Sequence, residues 1–157
     1  MAIIHSAAIA ASIPTIMEEI SNRGINMSAY SVQNVDDLQR AMEAIQNQPD
    51  SILILPDPVT SNPDALRFIL SKCMSWGVLP VSYSDLLVGS GALCGTFFPA
   101  SSVGNEAARV ARQILAGETP SRKMVVPQDS SVSCNNATAR GLRIKIPKSV
   151  TPEIIYE

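Results

Sequence analysis

Side chains able to bind or react gather at four places in this 157-residue chain, each where an apolar run stops. His5-Ser6-Ala7-Ala8 follows the first run, and Pro56-Asp57-Pro58-Val59-Thr60-Ser61 follows the run Ser51 to Leu55. Tyr83-Ser84-Asp85 closes a third, and Phe97-Phe98-Pro99-Ala100 closes a fourth. Together they offer hydroxyls, two carboxylates, one imidazole and aromatic faces. The helix N-termini that follow such strand ends add backbone N–H groups that attract anions. The candidate ligand-binding residues are Ser6, Asp57, Tyr83, Ser84, Asp85 and Phe97. Each has a plainer structural role open to it. Asp57, between two prolines, also fits a turn residue at a strand end, and His5 a satisfied core or surface histidine. Tyr83 and Asp85 also fit a polar strand exit. Phe97 and Phe98 point to opposite faces of a strand, so at least one of them packs in a core or hinge.

The same residues make a poor catalyst. No G-x-S-x-G, H-E-x-x-H or G-x-x-x-x-G-K-[ST] occurs. Gly89-Ser90-Gly91 leads into a strand instead of a helix, so it does not cradle phosphate. A Ser-His-Asp set would have to use His5, and nothing orients it. A phosphoacceptor domain of this topology needs an acidic pair after strand one and a lysine after strand five. Those places hold His5-Ser6 and Phe98-Pro99. No enzyme and no catalytic residue is expected.

Cys73, Cys94 and Cys134 lie far apart in sequence with no C-x-x-C, and the chain has one histidine, so no Cys/His metal site is expected. The cysteines read as small buried hydrophobes, and an odd count argues against a complete disulfide framework. No cofactor is expected. Twelve basic against fourteen acidic residues give a net charge of −2, which leaves no electrostatic footprint for nucleic acid. Three Phe, three Tyr and one Trp are too few for a base-stacking platform. No run of about 18 apolar residues reads as a membrane span. The apolar start lacks a basic segment and is broken by His5 and Ser6, so it does not read as an export signal.

The elements that must position these residues follow from periodicity. Ala2 to His5 reads as a first strand. Ser12 or Thr15 caps a helix to Asn22, stopped by Gly24, and Ile25 to Val32 is strand two. Asn34 caps a helix with the stripe Leu38, Ala41, Met42 and Ile45. Ser51 to Leu55, apolar on both faces, is a central parallel strand. Asn62-Pro63-Asp64 opens a helix that Gly77 ends. Val78 to Tyr83 is strand four, Gly91 to Phe97 is strand five, and a helix runs from Val103 to Leu115. This alternation predicts an α/β fold, a doubly wound parallel five-stranded sheet of flavodoxin-like order 2-1-3-4-5. Residues 1–119 then form an α/β ligand-binding lobe. The proline-punctuated segment 120–157, with a brief strand over Met124 to Pro127 and a short helical turn over Asn135 to Gly141, is an extension that packs on a second lobe or a partner.

The last third of the chain carries further signals in a fixed order. These are Gly91-Ala92-Leu93, the helix ending Ile114-Leu115-Ala116-Gly117 and then Pro120, and the tail positions Asn135, Ala139, Gly141 and Pro147. With Asp57 after strand three and Pro80 before strand four, this order resembles the substrate-binding proteins of ABC transporters, two-lobed receptors of the periplasmic type. The resemblance covers nearly all of this chain but only about half of a typical member, its C-terminal lobe plus the return segment. Cys94-Gly95-Thr96 departs from the family's usual Ser-Tyr-Gly. The resemblance implies binding of a small polar solute, an amino acid or related anion, with no chemistry. It also implies a transporter permease as partner and an extracytoplasmic site for the full-length receptor. The chain is expected to be either a piece of such a receptor or a natural single lobe that pairs with itself through the C-terminal segment. An initiating Met placed directly on a strand favours the piece. The alternative is a sensory or dimerisation module of a signalling protein.

Overall fold

The computed structural model describes residues 1–46, 48–119 and 125–157. Seven strands form one sheet, in the order β2-β1-β3-β4-β5-β6-β7. The elements run β1 (Ala2–His5), α1 (Ile13–Ser21), β2 (Ser28–Ser31), α2 (Val35–Ile45), β3 (Ser51–Ile54), α3 (Pro63–Trp76) and β4 (Leu79–Ser82). Next come α4 (Asp85–Gly89), β5 (Cys94–Phe97), α5 (Ala100–Leu115), β6 (Ser131–Asn135), α6 (Asn136–Gly141) and β7 (Ile154–Tyr156). Strands β1 to β5 are mutually parallel in the expected order 2-1-3-4-5, while β6 runs antiparallel to β5 and β7 parallel to β6.

Local rules place most elements. The Asn34 side chain accepts the Asp37 N–H at 3.0 Å, and all four stripe residues of α2 are buried. Asn62 caps α3 through the N–H groups of Asp64 and Ala65, and Gly77 ends it in the left-handed region at φ 70°. Alternation then sets the faces. Ala2, Ile4, Ile52 and Ile54 turn one way, into a cluster with Leu38, Met42, Ile69, Cys73 and Val88 from α2, α3 and α4. Among the described residues, no helix is long and apolar enough to cross a membrane.

Three expectations need correction. Among the described residues the sheet has seven strands, not five, because the Ser-rich β6 and the short β7 extend it past β5. A parallel sheet ending at β5 would leave that strand's backbone groups unpaired, and β6 covers them. The segment before β5 is not all loop, since Ser84 caps α4 through the Leu86 N–H at 3.2 Å. The helix expected from Val103 begins at Ala100. Met124, the start of the expected brief strand, and the expected boundary at residue 120 lie outside the described residues, and 125–127 form no strand.

Helix α5 stands apart from this packing. It buries none of its residues, and Val103, Ile114 and Leu115 are 47%, 56% and 87% exposed.

Two contacts lock the β5–β6 region. A Cβ at Gly95 would fall 2.6 Å from Ser82 Oγ and 3.0 Å from Val88 Cγ2, so the strand lies too close to its neighbours for any side chain. Buried Asn135 accepts the Thr138 N–H at 2.9 Å and donates to the Val88 carbonyl at 2.8 Å, joining β6, α6 and α4. Gly95→Ala is expected to cost about 1–3 kcal/mol through forced displacement. Asn135→Ala is expected to cost about 2–3 kcal/mol, because it strands a buried N–H and a buried carbonyl. Urea unfolding midpoints check both, and wild-type values in either variant would contradict the account.

Candidate ligand-binding site

The four sequence-selected loops all lie at the carboxyl edge of the parallel strands, where open α/β sheets bind ligands. They form two local groupings. The first spans the point where strand order reverses, between β1 and β3. Here the Ser6 N–H donates to Asp57 Oδ2 at 2.7 Å, a buried contact across 51 residues of sequence. The other oxygen of Asp57 accepts the N–H groups of Val59 at 2.8 Å and Thr60 at 3.2 Å. The Ser6 hydroxyl accepts the Ala8 N–H at 3.2 Å. His5, also buried, places Nδ1 3.1 Å from the Ser6 carbonyl.

Asp57 is 1% exposed, and among the described residues no cationic side chain hydrogen-bonds to it. Burial by itself would raise its pKa. The Ser6 N–H and hydroxyl, with the N–H groups of Val59 and Thr60, outweigh that and hold it below its ordinary value of 3.8. Backbone dipoles thus stabilise the charge, and the charge fixes the two loops.

The second grouping is an open cleft of about 460 Å³ lined by Tyr83, Ser84, Thr96, Phe97, Phe98 and Ser130. It brings three of the selected residues together, Tyr83 and Ser84 from the exit of β4 and Phe97 from the end of β5. Tyr83 and Phe98 are 37% and 44% exposed, so their rings are available to a visitor. The Ser84 hydroxyl accepts the Leu86 N–H as helix cap, which leaves its own proton to donate. Among the described residues, the lining carries no charged side chain. Asp85 sits in the first turn of α4, outside this lining.

Three lining residues were not among the candidates. Phe98 and Thr96 neighbour Phe97, and alternation along β5 could have flagged them. Ser130 comes from just before β6, and no local signal marks it, because only the antiparallel return brings it beside β5.

Asp57→Asn would set an amide donor against the Ser6 N–H, at an expected cost of about 1.5–3 kcal/mol at neutral pH. The native carboxyl has its pKa lowered by folding, so its stabilisation is fully present above 3.8 and is lost as pH falls through the folded-state value. The gap between wild type and Asp57→Asn should therefore narrow toward about pH 3. Urea midpoints across that range test it, and a pH-independent gap would refute the charge argument.

Comparison with known proteins widens the view. No curated protein matches the chain. Among solved structures, the fold matches a ligand-free, open substrate-binding protein with adhesive properties from Clostridium difficile, with a TM-score of 0.78 at 13% identity, covering 99% of this chain and 53% of that one. It also matches an ABC domain in complex with L-Trp from Streptococcus pneumonia, at TM-score 0.75 and 16% identity over 98% and 54% of the two chains. A conserved domain protein from Vibrio cholerae gives TM-score 0.75 at 22% identity, over 98% and 53%. The chain thus spans about half the length of these relatives. The family described as ABC transporter substrate binding protein matches residues 1–154, nearly the entire sequence, from β1 to the first residue of β7. The chain belongs to the ABC transporter substrate-binding protein family, whose members bind substrates and do not transform them.

Proposed function

We propose that this chain binds a small polar solute, an amino acid or a close relative, at the cleft lined by Tyr83, Ser84, Phe97 and Phe98. The observation that carries the reading is this cleft, about 460 Å³ at the carboxyl edge of the sheet, with aromatic faces beside hydroxyl groups. That volume lies within the usual range for small-molecule sites. Aromatic rings suit the apolar part of the solute, and Ser84, Thr96 and Ser130 suit its hydrogen-bonding groups. Asp85 at the edge of α4 is the nearest in sequence of the selected carboxylates and suits an amino group. Asp57, already engaged by three N–H groups, acts by shaping the rim with Ser6. The complex of one structural neighbour with L-Trp supports an amino acid as the class to try first.

In the complete receptor the facing wall comes from the half that the matched structures carry beyond this chain's span. Binding is then closure of two lobes on the solute, delivered to a transporter permease outside the cytoplasm. One wall alone supplies part of the contacts, so affinity for this chain by itself is expected near 1 mM, about −4 kcal/mol. Calorimetric titration with the common amino acids, tryptophan included, tests this. Tyr83→Ala and Phe97→Ala are expected to abolish the signal while the protein stays folded. Binding that survives both substitutions would place the solute elsewhere, and no binding by any amino acid at millimolar concentration would remove the class.

The exposed apolar residues of α5 favour a second reading, pairing of two copies through this helix as a dimerisation module. Light scattering decides it. A dimer that Ile114→Glu converts to monomer supports pairing, and a wild-type monomer at high concentration excludes it.

A further inference from the structure

Forty residues separate Cys94 from Cys134 in sequence, yet they are direct register partners in the antiparallel pair β5–β6. Partners in a ladder project from the same face of the sheet. Whether such a pair can join depends on its place in the hydrogen-bond pattern. The Asn135 N–H donates to the Leu93 carbonyl at 2.9 Å, which puts the ladder bond at the pair next to the cysteines. On the other side, the Val132 carbonyl turns away from β5 and accepts the Glu153 N–H at 2.8 Å. Cys94 and Cys134 therefore occupy a non-hydrogen-bonded pair, where Cα atoms approach to about 4.5 Å and side chains are closest. Disulfides need Cα separations of roughly 4.4–6.8 Å, a range that includes the usual spacing of such pairs.

The third cysteine is excluded by position. Gly95 turns toward Val88, and Cys73 shares the buried cluster with Val88. Alternation turns Cys94, one residue earlier, to the opposite face, and Cys134 with it. Exposure divides the pair's roles, since Cys94 is half-buried and Cys134 is 1% exposed.

We infer that Cys94 and Cys134 are a redox pair, a dithiol that closes into a cross-strand disulfide between β5 and β6. The oxidant is a disulfide of small thiols, the oxidised-glutathione class. The Cys94 thiolate attacks one of its sulfurs, forming a mixed disulfide and releasing one thiol. Cys134, as thiolate, then attacks the Cys94 sulfur and releases the second thiol. Two S–H bonds are lost from the protein, one S–S bond forms, and two electrons and two protons leave on the reduced reagent. Burial raises both thiols, and the charge of Cys134 adds to the rise at Cys94, so closure is slow, though favoured once the first adduct forms. The bond encloses residues 95–133, α5 included, and so removes freedom from the unfolded chain. It also ties the strand bearing Thr96 and Phe97 to the one that follows Ser130. None of this depends on the solute assigned to the cleft.

The test uses the intact chain in graded mixtures of reduced and oxidised glutathione, followed by acid quench, maleimide labelling after unfolding, and intact and peptide mass spectrometry. Two labels should disappear together, a linked Cys94–Cys134 peptide should appear, and Cys73 should keep its label. The oxidised form should unfold several degrees higher. Cys134→Ser should stop at the glutathione adduct on Cys94. Three labels persisting in the most oxidising mixture would overturn the proposal, as would linkage through Cys73 or between two chains. Labelling of the wild-type chain decides the question even if the serine variant fails to fold.

Discussion

The return of the chain to lie antiparallel against β5 is the constraint on which the other features rest. Five parallel strands need helices to cross between them, and they end with an unpaired edge. The sixth strand covers that edge by coming back from α5 in the opposite direction. This one pairing puts Ser130 beside Thr96 and Phe97, and so completes one wall of the cleft. It carries Asn135 to the Val88 carbonyl and through it anchors α4, the element that Ser84 caps. It also sets Cys94 opposite Cys134. The closeness of Gly95 to Ser82 and Val88 follows from the same packing, since the strand must sit low against α4 for Asn135 to reach.

At the other grouping, charge does the organising. Among the described residues no cationic side chain hydrogen-bonds to buried Asp57, a situation that normally drives a carboxyl toward its neutral form. Here the chain turns so that N–H groups from two loops converge on it. The loops after β1 and β3 are otherwise independent and meet where the strand order reverses. A buried ionised group with satisfied lone pairs is costly to disturb, and this one ties together two loops at the edge of the sheet where the fold class binds its ligands.

Helix α5 shows the reverse situation. Its sequence has the apolar spacing of a packed helix, yet among the described residues none of its side chains is fully buried, and Ser102, Glu106, Val110 and Gln113 are half-buried. The matched solved structures are about twice as long as this chain.

The sequence alone determined what depends on near neighbours. The caps at Asn34 and Asn62, the stop at Gly77 and the stripe of Leu38, Ala41, Met42 and Ile45 were legible, because helix ends and faces are set within four residues. The parallel core and its order were legible too, since buried strands must be apolar on both faces and crossovers have one hand. The loops at the strand ends pointed to Tyr83, Ser84 and Phe97. Only the tertiary structure decided that α4 intervenes before β5, that Ser-rich Ser131–Asn135 is a strand, and that Ser130 joins the cleft. It alone decided that Asp57 is engaged by the backbone and that two cysteines forty residues apart are partners. A strand such as β6 owes its existence to the edge it covers, and register between distant segments leaves no trace in the spacing of either one.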